Sequence, residues 1–339
     1  MKKTVILGAL TVAGLSAGAA AAGTIDDIKA RGTLNCGVTT GLVGFAAPDA
    51  NGEWDGFDVG VCRAVAAAVL GDPTAVEFVP TTGKTRFTAL ASGEIDMLAR
   101  NTTWTFSRDV DLKFEFVGIN YYDGQGFMVP KDLGVSSAKE LDGATVCIQT
   151  GTTTELNLAD FFRSNNISYE PVPIETNAEA QQQYLAGACD VYTTDASGLA
   201  ATRAAFEDPT AHVLLPEIIS KEPLGPLVRH GDNDWGDVVR WTLNALISAE
   251  ELGVTSANIS EMSSAAGANP EINRLLGTEG SLGEMLGLEP DWALKAISAG
   301  GNYGELFEKN IGENTPVGLA RGLNAKWTDG GLIYSPPFR

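Results

Sequence analysis

Two kinds of apolar pattern alternate along the first third of the chain. Short apolar runs bounded by Gly, Pro, Asn or Asp predict strands, and apolar residues spaced i, i+4, i+8 predict helices. Val61, Val65 and Val69 follow the helical spacing. In order, the pattern predicts strand Leu34–Val38, helix Val59–Leu70, strand Val76–Val79, helix Phe87–Ser92 ending at Gly93, and a strand beginning with Ile95–Leu98.

The middle of the chain repeats this alternation. It predicts strand Ala144–Gln149, helix Glu155–Phe162, strand Tyr169–Val172, helix Ala178–Ala186 and strand Val191–Thr194. Strands that alternate with helices are typical of α/β architecture with mainly parallel sheets. Residues 90–96 and 185–190 also share a detail, because each segment ends a helix, passes a glycine and reaches a strand at an acid. The two halves therefore predict two similar lobes.

Two glycine-bearing strands are candidates for the connection between the lobes. They are Gly124–Val129 and Leu224–Arg229. Glycines in strands can absorb the backbone change of a hinge, although they also mark bulges or close approaches. We therefore expect residues 23–125 and 231–339 to form the first lobe and residues 126–230 the second. Trp235–Leu252 predicts a long amphipathic helix, and the tail after it is expected to be rich in loops.

The first 22 residues have the order of a secretory signal peptide. Lys2 and Lys3 precede the apolar stretch Val5–Leu15, and the alanines Ala19–Ala22 fit cleavage after Ala22. Read as a membrane anchor, the stretch is too short, because a bilayer needs about 20 apolar residues. No cysteine stands at the cleavage site to accept a lipid. We therefore expect an exported and soluble mature protein.

The chain is strongly acidic. Removing Lys2 and Lys3 with the leader changes the formal net charge from −20 to −22. Such a charge argues against nucleic acid or an anionic membrane surface as a partner, and solubility accounts for most of it. The 317 residues left of 339 exceed what one hydrophobic core usually organises, which again favours two lobes.

The cysteine count bears on the redox state and on metal binding. Four cysteines are present: Cys36, Cys62, Cys147 and Cys189. An even number in an exported chain favours disulfides over free thiols, and four cysteines allow three pairings. A zinc site is the competing interpretation, but there is no CxxC motif and the only histidines are His212 and His230. We therefore expect disulfides and no metal.

A short motif opens the second predicted element. Gly56-Phe57-Asp58-Val59 leads into a helix, and with the order of elements around it the chain resembles the polar amino-acid binding proteins of ABC importers. The likeness is greatest to the general L-amino-acid branch of solute-binding protein family 3, although Gly60 replaces the usual acid. The resemblance implies the two-lobed type II periplasmic binding protein fold, with mixed, mainly parallel sheets and a hinge. It also implies a periplasmic monomer that needs no cofactor and passes a free L-amino acid to membrane permease subunits.

The expected ligand dictates the chemistry of its site. A free amino acid carries a carboxylate and an ammonium on one carbon, so a receptor needs a cationic fork with an anion opposite. Carried over residue by residue, the resemblance implies that Arg108 and Thr103 bind the carboxylate. Arg100 and Asn101 occupy positions that family members often fill with serine. The alternative is a surface Arg108 paired with a neighbouring acid.

Two further segments complete the expected site. Gly151–Glu155 follows a strand and opens a helix, whose free N–H groups favour an anion. The resemblance implies that Thr152 and Thr153 donate to the ligand carboxylate, whereas the alternative is a capping box of Thr152 and Glu155. Asp195 ends a strand at the edge where open α/β sheets bind ligands. The resemblance implies that it pairs with the α-ammonium, and the alternative is an N-cap.

Positions around the expected pocket bear on side-chain preference. Relatives that bind lysine or arginine have an acid after the first strand, where this chain has Thr39, and often an aromatic ring where it has Leu42. Arg100, with Lys84 or Arg86 if their loop reaches the cleft, can offset the carboxylate of glutamate or aspartate. We therefore expect broad specificity that includes polar and acidic amino acids, without selectivity for cationic ones.

The lobe assignment also predicts how the cysteines pair. We expect Cys36–Cys62 and Cys147–Cys189, because each pair falls within one lobe and links neighbouring elements of a βαβ unit. The main alternative function is an enzyme on the same fold, such as a dehydratase derived from a binding protein. Only two histidines and no nucleophile motif are present. The sequence therefore singles out no catalytic set, and we expect binding without catalysis.

Overall fold

A computed structural model describes residues 23–264 and 269–339 of the chain. The expected signal peptide, residues 1–22, lies outside the described residues. Within the two described stretches, no helix combines the length and the hydropathy needed to cross a membrane.

Strands and helices alternate as the apolar pattern predicted. The strands are β1 Leu34–Thr39, β2 Ala47–Pro48, β3 Trp54–Asp55, β4 Val76–Thr81, β5 Met97–Leu98, β6 Phe114–Phe116, β7 Tyr121–Asp123, β8 Gln125–Pro130, β9 Ala144–Gln149, β10 Tyr169–Ile174, β11 Val191–Asp195, β12 His212–Leu214, β13 Glu222–Leu224 and β14 Leu227–Arg229. Each of the six strands predicted from short apolar runs has a counterpart among them.

The helices follow the same order. They are α1 Thr24–Arg31, α2 Phe57–Leu70, α3 Arg86–Ser92, α4 Thr153–Asn165, α5 Asn177–Leu185, α6 Ala196–Ala204, α7 Asn233–Glu251, α8 Ile259–Ser264, α9 Pro270–Leu275, α10 Leu282–Met285, α11 Trp292–Ser298 and α12 Tyr303–Asn310. A π-helical turn spans Ser107–Asp111. Gly93 ends α3 in a left-handed conformation, as its position after the apolar run predicted.

Two five-stranded sheets share one strand pattern. The strand order is β4-β1-β5-β14-β6 in the first sheet and β10-β9-β11-β8-β12 in the second. In each sheet, the first three strands in this order are parallel to one another. The fourth strand runs antiparallel to the third, and the fifth strand, at the edge, runs antiparallel to the fourth. We call each sheet with the helices packed on it a lobe. The predicted α/β architecture with two similar lobes is therefore confirmed.

A separate two-stranded ladder forms where the chain passes between the lobes. In it, β7 and β13 run antiparallel, with Tyr121 opposite Leu224 and Asp123 opposite Glu222. We call this ladder the hinge. The predicted lobe boundaries follow residues 125 and 230. The strands of the hinge lie a few residues before these two positions, and the boundaries stay a prediction. Strand β14, within the expected second crossing, pairs with strands of the first sheet.

The C-terminal segment packs on the first lobe and reaches the hinge. Helices α11 and α12 both pack against α2 and α7. The segment holds more helix than expected, because helices such as the four-residue α10 are too short to show a clear period. Beyond α12, the side chain of Asn324 accepts from Tyr122 N at 2.7 Å and donates to Tyr122 O at 3.1 Å. The tail is therefore bonded to hinge strand β7.

Both predicted disulfides are present. Cys36 in β1 is bonded to Cys62 in α2, and Cys147 in β9 to Cys189, which lies two residues before β11. The Cα atoms are 6.2 Å and 5.5 Å apart, within the usual range for a disulfide. Each bond links neighbouring elements inside one lobe, so the predicted pairing is confirmed.

The glycines of the motif at the start of α2 have structural reasons. Gly56 precedes α2 with φ 137° and ψ 175°, a conformation that residues with a Cβ rarely adopt. A Cβ on Gly56 would meet the carbonyl group of Phe45. One turn on, Gly60 leaves room for the side chain of Leu306 from α12. The glycine that replaces the usual family acid therefore lets the C-terminal segment pack closely on α2.

We predict that Gly56→Ala lowers the free energy of unfolding by at least about 3 kcal/mol, because strain and steric overlap with Phe45 add together. Gly52→Ala is the matched control, since Gly52 also has a positive φ of 85° but has open space around it. That variant should lose only about 1–2 kcal/mol. Urea denaturation with the disulfides intact measures both, and equal losses would contradict the role of the Phe45 contact.

Candidate functional site

A cavity of about 50 Å³ lies between the lobes, at the carboxyl ends of β1, β9 and β11. This is the edge where open α/β sheets place ligands. Seven of the eight predicted site residues line it: Thr39, Arg100, Asn101, Thr103, Thr152, Thr153 and Asp195. They come from both lobes. The site is therefore complete only when the lobes are closed on each other.

Two buried arginines form the cationic side of the cavity. Arg86 spans the cleft, since its Nη1 donates to Thr102 Oγ1 at 3.2 Å and its Nη2 to Gly151 O at 3.3 Å. Its Nε has no partner among the described residues. The Nε of Arg100 donates to Thr81 O at 3.0 Å. Both guanidinium groups therefore keep N–H donors for an anion in the cavity.

The guanidinium groups of Arg86, Arg100 and Arg108 also crowd one another. Burial, followed by the charge of Arg108, lowers the pKa of Arg100 to about 10. Burial and the two neighbouring guanidiniums lower the pKa of Arg86 well below its ordinary value. Buried charge of one sign is costly without a counter-charge. This wall of the cavity is therefore suited to an anionic group.

Arg108, the predicted carboxylate fork, lies behind this wall and does not line the cavity. Its Nη1 donates to Thr103 O at 2.8 Å, and its guanidinium carbon lies 5.1 Å from the centroid of the Phe87 ring. The residue is only 6% exposed, and Asp109 accepts instead from the indole of Trp104. The alternative of a surface ion pair is therefore wrong. Direct contact of Arg108 with a ligand stays a prediction.

The turn before α4 leaves the helix N-terminus free of side-chain caps. Thr152 is the N-cap residue, but its hydroxyl donates to Gln149 O at 2.7 Å and makes no cap hydrogen bond. The carboxylate of Glu155 accepts from Gly151 N at 2.7 Å. The capping-box alternative is therefore wrong. The first N–H groups of a helix have no partner within it, so those of α4 are left for an anion.

Asp195 forms the anionic side of the cavity. It ends β11 and precedes α6, but its side chain makes no cap hydrogen bond, so the N-cap alternative is wrong. Asp123 serves that helix instead, accepting from Ser197 N at 3.4 Å and from the Ser197 hydroxyl. Burial, and then the charges of Asp123 and Glu222, raise the pKa of Asp195 well above its ordinary value. The carboxylate is therefore suited to a cationic partner.

Comparison with known proteins identifies the family. The family model of bacterial extracellular solute-binding proteins, family 3, matches residues 34–258. The chain belongs to this family. It is 66% identical over 339 residues to a glutamate/glutamine/aspartate/asparagine-binding protein of Rhodobacter capsulatus. It is 57% identical over 343 residues to a general L-amino acid-binding periplasmic protein of Rhizobium johnstonii. Each comparison covers 100% of both chains.

Solved structures of other proteins share the fold. A periplasmic binding protein of an ABC transporter from Brucella ovis, with glutathione bound, has a TM-score of 0.91 and 57% identity. That match covers 94% of this chain and 100% of the other. An ancestral arginine-binding protein with 26% identity has a TM-score of 0.58 and covers 66% of this chain and 95% of its own. The predicted type II binding-protein fold is therefore confirmed.

Several residues that line the cavity of this family 3 protein, or contact its lining, were not expected from the sequence. Gln149 and Asn177 line the cavity, and Asn177 Nδ2 donates across the cleft to Gly41 O at 3.2 Å. Glu222, in hinge strand β13, accepts from the hydroxyls of Thr103 and Thr153. The position of Gln149 at the end of a predicted strand was a usable signal. Asn177 and Glu222 carry no local signal, because only closure of the lobes brings them to the site.

The loop that carries Lys84 and Arg86 divides its charges between surface and cavity. Lys84 Nζ forms an exposed ion pair with Glu175 Oε1 of the second lobe at 2.8 Å. Arg86 is 2% exposed and lines the cavity. The loop therefore does reach the cleft, and it brings the arginine there. Leu42, expected near the pocket, also lines the cavity.

Asp58, from the motif at the start of α2, supports the backbone of a residue that lines the cavity. Its carboxylate accepts from Asn101 N and from Asn120 Nδ2, each at 3.4 Å. Asn101 lines the cavity and has a positive φ of 31°. Burial raises the pKa of Asp58 to about 6, although these hydrogen bonds and the charge of Arg100 oppose the shift. The acid therefore holds a cavity residue in place at a cost in stability.

We predict that Asp58→Asn gains stability relative to the parent protein as the pH rises. The folded state binds the Asp58 proton more tightly than the unfolded state, so stability falls as the pH rises from the ordinary pKa of 3.8 to about 6. The penalty above that window is about 3 kcal/mol. Urea unfolding at pH 4 and pH 7 measures the change. The exposed control Asp27→Asn should show the same change in the free energy of unfolding between pH 4 and pH 7 as the parent protein. The same change in Asp58→Asn would contradict the predicted cost of ionising Asp58.

Proposed function

We propose that this chain is a periplasmic binding protein that closes its two lobes around a free L-amino acid and delivers it to an ABC importer. The observation that carries the proposal is that charges of both signs line one cavity. Arg86, Arg100 and the N-terminus of α4 line it together with Asp195. A free amino acid presents both charges on one carbon, so it neutralises both kinds of charge at once. The Rhodobacter and Rhizobium relatives, which are named for binding amino acids, support the same ligand class.

Each wall of the cavity receives a role in this proposal. The ligand carboxylate takes N–H donors from Arg100 and from the first turn of α4, which Thr152 and Thr153 open. Arg108 adds its charge from behind and fixes the Thr103 carbonyl. The ligand ammonium pairs with Asp195. Because contacts come from both lobes, the ligand stabilises the closed arrangement over any open one.

The side-chain end of the ligand determines specificity. Thr39 and Leu42 line that part of the cavity without a negative charge, and Arg86 adds a buried positive charge. Acidic and amide side chains fit this environment, whereas lysine and arginine would meet a like charge. We propose broad specificity for glutamate, glutamine, aspartate and asparagine. The protein is proposed to act as a monomer, without cofactor or catalysis.

Glutathione is a second candidate because the Brucella ovis relative holds it. Its terminal glutamate has the same free carboxylate and ammonium as an amino acid. The Rhodobacter and Rhizobium relatives, which match over the full length of the chain, are named for amino acids. We therefore place it second, and it belongs in the ligand panel.

We predict that glutamate, glutamine, aspartate and asparagine compete for one site, and that arginine and lysine do not. Isothermal titration on protein unfolded and refolded to remove co-purified ligand measures this, with glutamine as the reference and glutathione as a further competitor. The reason is the positive charge of Arg86 and Arg100 together with the neutral Thr39. Competition by arginine and lysine alone would contradict the proposed specificity. Turnover of any bound amino acid would contradict binding without catalysis.

We predict that Asp195→Ala and Arg108→Ala each weaken glutamate binding by about 3–5 kcal/mol, or two to three decades or more in Kd. Asp195→Ala leaves the ligand ammonium buried without its partner. Arg108→Ala removes the positive charge behind the ligand carboxylate and the donor that holds the Thr103 carbonyl. Asp190→Ala is the matched control for Asp195. Asp190 directly precedes β11, at the opposite end of the strand from Asp195, and among the residues that the structure describes its carboxylate accepts only from Thr145. Near-parental affinity of both variants, measured by titration, would refute the assigned roles.

A further inference from the structure

The carboxylate of Glu222 is saturated by hydrogen-bond donors at the hinge. It is 2% exposed and accepts from Asn157 Nδ2 at 2.6 Å, Ser220 Oγ at 2.7 Å, Thr153 Oγ1 at 2.9 Å and the Thr103 hydroxyl. An ionised carboxylate offers about four lone-pair positions, and here each oxygen receives two donors. Glu222 therefore has no capacity left for a ligand, and any effect it has on binding passes through its four partners.

The hydroxyl groups around Glu222 have a fixed direction of donation. A hydroxyl has one proton to donate and two lone pairs to accept with. Ser220 shows the complete pattern, because its Oγ donates to Glu222 and accepts from Gln125 N at 3.1 Å. The hydroxyl protons of Thr103 and Thr153 are likewise directed to Glu222. Their oxygens can therefore act only as acceptors toward any other group.

Two such acceptors face each other across the cleft. Thr103 belongs to the first lobe and Thr153 to the second, and both line the cavity. Their Oγ1 atoms are 3.4 Å apart. Because both hydroxyl protons are directed to Glu222, neither hydroxyl can donate to the other. The lone pairs of the two oxygens therefore face each other without a donor between them. A donor placed beside both oxygens would satisfy them together, and an ammonium group has three donors to offer.

We infer that Glu222 is a positioning residue that makes the hydroxyls of Thr103 and Thr153 acceptors for the α-ammonium of the ligand. The inference rests on the proposed amino-acid function. It assigns these two hydroxyls to the ammonium, together with Asp195, whereas the resemblance of the sequence implied the carboxylate for both threonines. The carboxylate of the ligand is then bound by the backbone N–H groups of α4 and by the arginines. Because the two threonines come from different lobes, Glu222 holds both only when the cleft is closed.

The test is a double-mutant cycle on glutamate affinity. Glu222→Leu removes both acceptor oxygens, so the hydroxyls of Thr103 and Thr153 are free to point their protons at the cavity. Thr103→Val removes the hydroxyl itself. We expect each variant to lose about ten- to a hundredfold in affinity, as for a hydrogen bond to a charged group. Because both changes act through the Thr103 hydroxyl, the double variant should lose no more affinity than the single variant that binds more weakly. Losses that multiply, or parental affinity in Glu222→Leu, overturn the inference.

Two controls separate this role from a general structural one. Glu217→Leu changes a glutamate on the same segment that accepts from Ser137 and from Ala138 N at 3.0 Å, away from the cavity, and should keep parental affinity. Thr103→Ser keeps a hydroxyl and should bind far better than Thr103→Val. This comparison keeps the inference open to refutation even if Glu222→Leu does not fold. Equal affinities of the serine and valine variants overturn the inference.

A crystal structure of the glutamate complex tests the chemical assignment directly. We expect the ligand nitrogen within hydrogen-bond distance of both threonine hydroxyls. A ligand carboxylate oxygen at that place would overturn the inference and leave the amino-acid function standing. Failure of the parental protein to bind any amino acid would instead contradict the proposed function itself.

Discussion

The structure depends on buried charges of opposite sign that neither lobe can neutralise alone. Three guanidinium groups, those of Arg86, Arg100 and Arg108, lie on first-lobe elements, and Asp195 lies on the second lobe. A charge removed from water needs a partner. Closure brings the two sets together around a small cavity, where they influence each other but form no direct ion pair among the described residues. The cavity is thus lined by positive and negative groups together, which matches the two charges of a zwitterion.

The sequence was sufficient for the main alternation of strands and helices in both lobes, and seven of the eight site residues that it named line the cavity. Each predicted strand and helix reflects a local period. Thr39, Thr152 and Asp195 lie where strands end, whereas the family resemblance supplied their expected roles. Local rules were less reliable for side-chain direction. The spacing of Thr152 and Glu155 suits a capping box, yet the Thr152 hydroxyl turns back to Gln149 O. A local hydrogen bond of similar strength competes with the cap, and sequence alone does not rank the two.

What the sequence did not reveal depends on contacts between distant segments. Glu222 and Thr103 are separated by 119 residues, and Asn177 and Gly41 by 136. Such pairs have no periodic signature, because they form only after two independently patterned lobes meet. Arg86 is intermediate, since its charge is plain in the sequence but its reach into the cavity depends on the loop before α3. The helices after residue 258, beyond the matched family region, were missed because each is short.

The bond between Asn324 and the hinge limits where the molecule can bend. Its amide occupies both the donor and the acceptor of Tyr122, the positions that a third strand would take beside β7. The segment before Asn324 is itself secured to the first lobe, because Arg321 pairs with Glu250 of α7. Rotation about Tyr122 would break these bonds, so they oppose bending of the chain at this residue. The segment from Arg321 to Asn324 therefore braces hinge strand β7 against the first lobe without lining the cavity.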